Sequence, residues 1–245
     1  MSYYNLINAY SNDISIEKFE HRELFYIHIP KTGGTLIENM FYDHKVGAFT
    51  DSSKWDSLKI DDNLKKINKW HIPPKYIKNL DFTKVLTFTS IRDPIDKILS
   101  EYVWEGSNTD INIWVIYKIN KHKMNNFIDD YHWEPQVSYI VDAHGNQLPY
   151  DNMIICDSKN FVNNILKFAK KYNISTRDYT DSLPSKTSLP NPLFGKPQNK
   201  CKIKIHSNNT DYTALKQKLS RTTINFIKDY YKEDFKLYEN LKRYN

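Results

Sequence analysis

Phe25-Tyr26-Ile27-His28-Ile29-Pro30-Lys31-Thr32-Gly33-Gly34-Thr35 decides how this chain is read. The β-branched and aromatic run over 25–29 predicts a buried strand. Pro30 has no amide to give to a central ladder, so the strand ends there. Gly33 and Gly34 open backbone angles closed to other residues and let the chain approach a ligand. Thr35 reads as the N-cap of a helix over Leu36-Ile37-Glu38-Asn39-Met40-Phe41, whose apolar spacing is helical. A strand, a glycine turn and a helix N-terminus follow one another, with Lys31 and the hydroxyls of Thr32 and Thr35 on the turn. Free amides and the positive end of the helix dipole then meet at one point, which suits an anion and most often a phosphate. A Gly-Gly-Thr sequence alone is equally a tight turn; Lys31 and the strand–turn–helix setting favour the anion site.

The nucleotide triphosphatase loop, G-x-x-x-x-G-K-[ST], relies on the same physics but does not fit. Here the lysine precedes the glycine pair and the first glycine is missing. A second strand is predicted over 84–91, followed by Arg92-Asp93-Pro94 and a helix with apolar residues at 95, 98, 99, 102 and 103. Asp93 suits its cap and Pro94 its first position. A third buried strand is predicted over 152–156, with a helix over 161–169 packed against it. Residues 111–130 read as one or two helices. Residues 212–244 read as helical, with Phe226, Tyr230, Phe235 and Tyr238 as the packing face. Strands alternating with helices predict an α/β fold with a central parallel sheet flanked by helices. Ligands collect at the carboxyl ends of such strands.

The order Pro-Lys-Thr-Gly-Gly-Thr resembles the 5′-phosphosulfate loop of sulfotransferases, in the form of the carbohydrate enzymes related to the heparan 2-O- and chondroitin/HNK-1 types. Arg92-Asp93-Pro94-x-x-Lys97-x-x-Ser100 is similar to their R-D-P-x-x-R-x-x-S, with a lysine where that family commonly has arginine. His132-Trp133-x-Pro135-Gln136 resembles their H-W-x-P-Q segment. Tyr231-x-x-Asp234-Phe235-x-Leu237-Tyr238 is similar to their terminal Y-x-x-D-F-x-L-F helix. The ordered match runs from about Phe25 to Tyr238, nearly the whole chain.

The resemblance implies a P-loop-like sulfotransferase fold and transfer of a sulfuryl group from 3′-phosphoadenosine 5′-phosphosulfate to an acceptor hydroxyl on a carbohydrate. It implies that Lys31, the amides from Thr32 through Gly33, Gly34 and Thr35 to Leu36, and the Thr32 and Thr35 hydroxyls hold the 5′-phosphate. Lys31 also stabilises charge on the leaving oxygen. It implies that Arg92 and Ser100 hold the 3′-phosphate, for which an arginine fork is well shaped. An acceptor hydroxyl needs a general base. His71, in a His71-Ile72-Pro73 stretch between the two phosphate motifs, is the candidate, with His132 second. His132, Trp133 and Gln136 are the candidates for contacting the acceptor. His28 lies within the first strand and reads as a core residue. No metal is expected, and no metal-ligand spacing is visible.

Composition bounds the rest. The chain has 245 residues, enough for one α/β domain over 1–245, with 40% hydrophobic and 26% charged residues. A formal charge of +6 suits an anionic ligand. Residues 1–23 form a polar lead-in, 48–69 a loop with a weak helix, and 180–204 a long basic loop carrying Lys186, Lys196, Lys200, Lys202 and Lys204. Two cysteines, Cys156 and Cys201, without a C-x-x-C pair give neither a zinc motif nor a disulfide framework. The start carries no apolar leader, and no window approaches the roughly 18 apolar residues of a membrane span. The expectation is a cytoplasmic enzyme acting on a glycan or other small hydroxyl acceptor, without nucleic-acid or membrane partners. Two other readings stay open at this point: a nucleotide or nucleoside kinase built on the same strand–loop–helix, and a basic module that binds polyanions without chemistry.

Overall fold

The computed structural model describes residues 24–44, 46, 58–60, 71–125, 128–157, 159–177 and 212–244. The predicted lead-in over 1–23 and the basic loop over 180–204 lie outside these residues, as do Cys201 and nearly all of 48–69. Strands β1 (Leu24–Ile27), β2 (Leu86–Ile91) and β3 (Met153–Ile155) form a parallel sheet in the order β1-β2-β3. Leu24 pairs with Leu86 and Ile27 with Thr89 on one side of β2, and Thr89 with Met153 and Ile91 with Ile155 on the other. Each strand is shorter than the sequence suggests. In particular β1 stops before His28 and Ile29, which leave the ladder ahead of Pro30.

Both faces of the sheet are covered, so every residue of β1 and β2 is buried. Alternation divides them: Phe25, Ile27, Ile91 and Met153 enter one core, while Leu24, Tyr26, Leu86, Phe88 and Ile154 enter the other. Helices α1 (Gly34–Met40) and α4 (Phe161–Lys171) close the second face through Ile37, Met40, Phe161, Ile165 and Phe168. Helices α2 (Pro94–Glu105) and α3 (Ile111–Met124) share a third cluster with α5 (Thr213–Lys218) and α6 (Arg221–Tyr230). The last helix, α7 (Lys232–Tyr244), returns to the sheet and buries Leu237 and Leu241 in the first core. The C-terminal region is thus three helices. The buried apolar residues over 221–244 are Ile227, Tyr231, Leu237 and Leu241, and the expected face of Phe226, Tyr230, Phe235 and Tyr238 is half-buried around them.

Asp93 caps α2 as its position suggests: its carboxylate accepts from the amides of Ile95 and Asp96, with Pro94 next in line. The cap of α1 differs. Gly33, not Thr35, occupies the N-cap position, with φ +90, and its carbonyl accepts from Leu36 and Ile37 at 3.1 and 3.3 Å. Thr35 is an exposed residue of the first turn. Among the described residues no side-chain oxygen closes this helix end, so its first amides stay open there. Among the described residues, no helix is long and apolar enough to cross a membrane.

Candidate functional site at the carboxyl ends of β1 and β2

Two turns leave adjacent parallel strands side by side: Lys31 to Thr35 after β1, and Arg92 after β2. Within the first turn the amides of Thr32, Gly33, Gly34 and Thr35 donate to no acceptor among the described residues. Lys31 itself has φ +64, a left-handed conformation unusual for a lysine. The Arg92 guanidinium donates to its carbonyl oxygen at 3.0 Å and holds it there. Both glycines are required by space. A Cβ on Gly33 would lie 2.3 Å from the Phe161 ring, and one on Gly34 would lie 2.4 Å from Nε2 of His28.

Thr32 corrects one expectation. Its hydroxyl is fully buried, donates to the Ile29 carbonyl at 2.8 Å and meets the Ser90 hydroxyl at 2.9 Å. Ser90 in turn meets the Tyr26 hydroxyl at 2.9 Å. The Thr32 side chain therefore pins the turn to the sheet instead of facing an anion, and only its amide is left open. The Leu36 amide is likewise engaged with Gly33 and cannot serve a phosphate.

Arg92 has no carboxylate partner among the described residues: Asp93 caps α2, and Asp96 pairs with Lys216. Its guanidinium lies over the Tyr212 ring at 5.3 Å. The backbone of Arg92 is fixed by Gln136, whose amide accepts from the Arg92 N–H at 2.9 Å and donates to its carbonyl at 2.8 Å. Gln136 is fastened by the buried carboxylate of Asp234, which accepts from the amides of Gln136 and Val137 at 2.8 and 3.0 Å. Burial pushes the Asp234 carboxyl up to about 6, against those two bonds and the nearby Lys97. Gln136, expected at an acceptor wall, is instead fully buried behind the arginine. Trp133, expected beside it, is 1% exposed and packs edge-to-face on Trp114. Of the three acceptor candidates only His132 reaches the site.

Lys97 and Ser100 are both buried on α2. The Lys97 ammonium donates to the His132 carbonyl at 2.6 Å. Burial lowers its pKa, while Asp234, Glu101 and Glu134 oppose that shift. It supports the histidine segment from beneath the site.

Three imidazoles gather next to the turn. The His71 ring stands 5.2 Å from that of His28 and 4.9 Å from that of His132. Each presents Nδ1 to a carboxylate: His28 to Glu38 at 2.8 Å, His71 to Asp130 at 3.1 Å, His132 to Glu101 at 2.7 Å. The Tyr139 hydroxyl donates to the His71 carbonyl at 2.9 Å. Burial pushes the His71 imidazole down to about 3, against the Asp130 hydrogen bond, and keeps it neutral at physiological pH. A neutral imidazole whose Nδ1–H donates to a carboxylate has Nε2 as its acceptor nitrogen. His28, just past the end of β1, is buried as expected, yet it borders the site.

The Lys31 ammonium sits 5.0 Å over the ring of Trp104, whose other neighbour is the His132 ring at 5.2 Å. Burial lowers the Lys31 pKa to about 8; Glu101 works against that, and Arg92 and Lys97 add to it. Trp104 is 56% exposed. Sequence reading missed Trp104, Asp130, Glu101 and Glu38. Trp104 lies three residues after Glu101, on the face of α2 that follows Lys97, a spacing with a usable signal only once the helix is placed. Asp130 has none, because it depends on the backbone of Asp129, Asp130 and Tyr131, all at positive φ.

An open-ended amide turn, a lysine, an arginine and a carboxylate-supported histidine thus meet at the carboxyl edge of a parallel sheet, an arrangement that suits an anionic ligand. The model of the sulfotransferase family matches residues 18–241, and the chain belongs to that family. Comparison with curated proteins and with solved structures finds no match.

Proposed function

We propose that this sulfotransferase takes its sulfuryl group from 3′-phosphoadenosine 5′-phosphosulfate and delivers it to a hydroxyl of a carbohydrate. The observation that carries the donor is the Lys31–Arg92 junction: among the described residues, open amides and a lysine on one turn, and an arginine without a carboxylate partner on the next. Two separate cationic points on adjacent strand ends suit a ligand with phosphates at both 5′ and 3′ positions. The amides of Thr32, Gly33, Gly34 and Thr35 would receive the 5′-phosphate, and Arg92, together with Ser100 of α2, the 3′-phosphate.

His71 would take the proton from the acceptor hydroxyl at Nε2 while Asp130 stabilises the resulting imidazolium through Nδ1. As the acceptor oxygen bonds to sulfur, the bond from sulfur to the 5′-phosphate oxygen breaks. Lys31 stabilises the negative charge gathering on that oxygen. A carbohydrate acceptor is supported by the sequence resemblance and by Trp104, an exposed indole beside Lys31 and His132 that offers an apolar face to a sugar ring.

Release of 3′-phosphoadenosine 5′-phosphate from the donor, measured across oligosaccharide, phenol and tyrosyl-peptide acceptors, tests the reading. Turnover with a saccharide, lost in Lys31→Ala and in His71→Ala, is the expected result. Turnover with the phenol or peptide alone would replace the acceptor class.

A further inference from the structure

Nitrogen and carboxylate oxygen atoms of His71, Asp130 and His132 all lie within 4.8 Å of one another. No spacing in the sequence suggests this set, which the fold assembles from the segment after residue 70 and the turn over 129–132. We propose that these three side chains bind one divalent first-row transition metal ion of the zinc class, and that the bound ion switches off His71 as a base.

The donor set is two imidazoles and a carboxylate, which zinc and its neighbours accept readily and which leaves a fourth position open. The 3.1 Å between His71 Nδ1 and Asp130 Oδ2 is close to the spacing of two ligands on one tetrahedral ion with bonds of about 2.1 Å. His132 contributes through Nε2, because its Nδ1 is held by Glu101. A buried carboxylate behind the distal nitrogen is the support that orients metal-binding imidazoles. Glu101 adds a second, independent sign: its Oε1 is buried with no hydrogen-bond partner among the described residues. Glu101, which also faces the Lys31 and Lys97 ammonium groups, thus sets a carboxylate behind His132 that favours a cation on its other nitrogen. Asp130 and His132 are half-buried, so the site has an approach from solvent.

The consequence follows from the tautomer. A metal on His71 Nδ1 moves the imidazole proton to Nε2, and Asp130 changes from hydrogen-bond acceptor to ligand. No proton is lost and no electron moves. Nε2–H cannot accept the proton of an acceptor hydroxyl, so transfer stops while the phosphate turns, which use none of the three residues, still hold nucleotide. This silencing rests on His71 being the base proposed above; metal binding does not.

Full-length metal-free protein is titrated with Zn²⁺ by calorimetry and with Co²⁺ by visible absorption. Wild type is set against Asp130→Asn and His132→Gln, with the fold of each checked by circular dichroism. The expected result is one ion per chain, an intense Co²⁺ band typical of four or five ligands, and affinity reduced about tenfold or more in each variant. Glu101→Gln weakens binding without abolishing it. One ion bound equally well by both variants, or no binding tighter than about 1 mM, overturns the proposal. Zn²⁺ bound through these residues without loss of sulfuryl transfer supports the site and contradicts His71 as the base.

Discussion

The guanidinium of Arg92 donates to the main-chain oxygen of Lys31 at 3.0 Å, tying the turn after β2 to the turn after β1. The arginine that would read one phosphate thereby also fixes the backbone of the loop that would hold the other. Replacing Arg92 by lysine keeps a charge but loses the rigid fork. Arg92→Lys is expected to weaken binding of 3′-phosphoadenosine 5′-phosphate by about 1.5–3 kcal/mol, the worth of a charge-assisted hydrogen bond. Adenosine 5′-phosphate, which lacks the 3′ group, should lose less. Calorimetry on both ligands reads the difference, and equal losses would place Arg92 away from the 3′-phosphate.

Behind the arginine, Gln136 satisfies both backbone groups of Arg92 from a fully buried position. Gln136→Leu leaves both without a partner, and stability should fall by roughly 2–5 kcal/mol in urea unfolding. A loss under half a kilocalorie would mean that water or another group replaces the amide.

The glycine pair makes a steric prediction. Gly34→Ala sets a methyl group against the His28 ring, 2.4 Å from Nε2 before any shift. A cost of about 1–3 kcal/mol is expected, with reduced turnover because His28 packs directly on His71. Gly33→Ala adds a positive φ to a clash with Phe161 and should cost more. A fully stable, fully active Gly34→Ala protein would contradict the packing.

Much of this was legible from residue type and order. The β-branched runs, Pro30, the glycine pair and Asp93-Pro94 act locally, and the sheet, its parallel sense and both turns follow from them. What was not legible depends on tertiary burial. Thr32 and Thr35 carry the same hydroxyl on the same turn, and only packing against Ser90 decides that one faces the sheet and the other water. Trp133 and Gln136 stand beside His132 in one motif, yet Trp133 packs on Trp114 and Gln136, opening a turn of 3-10 helix over Gln136–Tyr139, is fully buried behind Arg92. The His71–Asp130–His132 cluster was invisible for a related reason: 59 residues separate its first two members.

Burial lowers the pKa of both His71 and Lys31, and the two shifts are read in different experiments. His71 has its pKa lowered by burial from 6.5 to about 3, so between those values the unfolded chain binds more protons than the folded one. Stability therefore falls as pH drops through that window, with a slope approaching 1.4 kcal/mol per pH unit from this group alone. His71→Gln should flatten the slope of unfolding free energy between pH 6.5 and 4.5, and an unchanged slope would show that the imidazole titrates normally.

Lys31 has its pKa lowered by burial to about 8, so the free site loses its ammonium as pH rises through that value. Affinity for 3′-phosphoadenosine 5′-phosphate should decline above pH 8 in wild type and stay level in Lys31→Arg, whose guanidinium remains charged. Parallel curves for the two proteins would remove Lys31 from the binding site.

Donor identity is tested most directly by thermal unfolding with 3′-phosphoadenosine 5′-phosphate against ATP–Mg²⁺, for wild type, Lys31→Ala and Arg92→Ala. At about 100 times its dissociation constant a ligand stabilises the fold by roughly 2.7 kcal/mol. Selective stabilisation of wild type by the 3′-phosphorylated nucleotide, reduced in both variants, is the predicted result. Stabilisation by ATP–Mg²⁺ alone, or an equal response from Arg92→Ala, would contradict it.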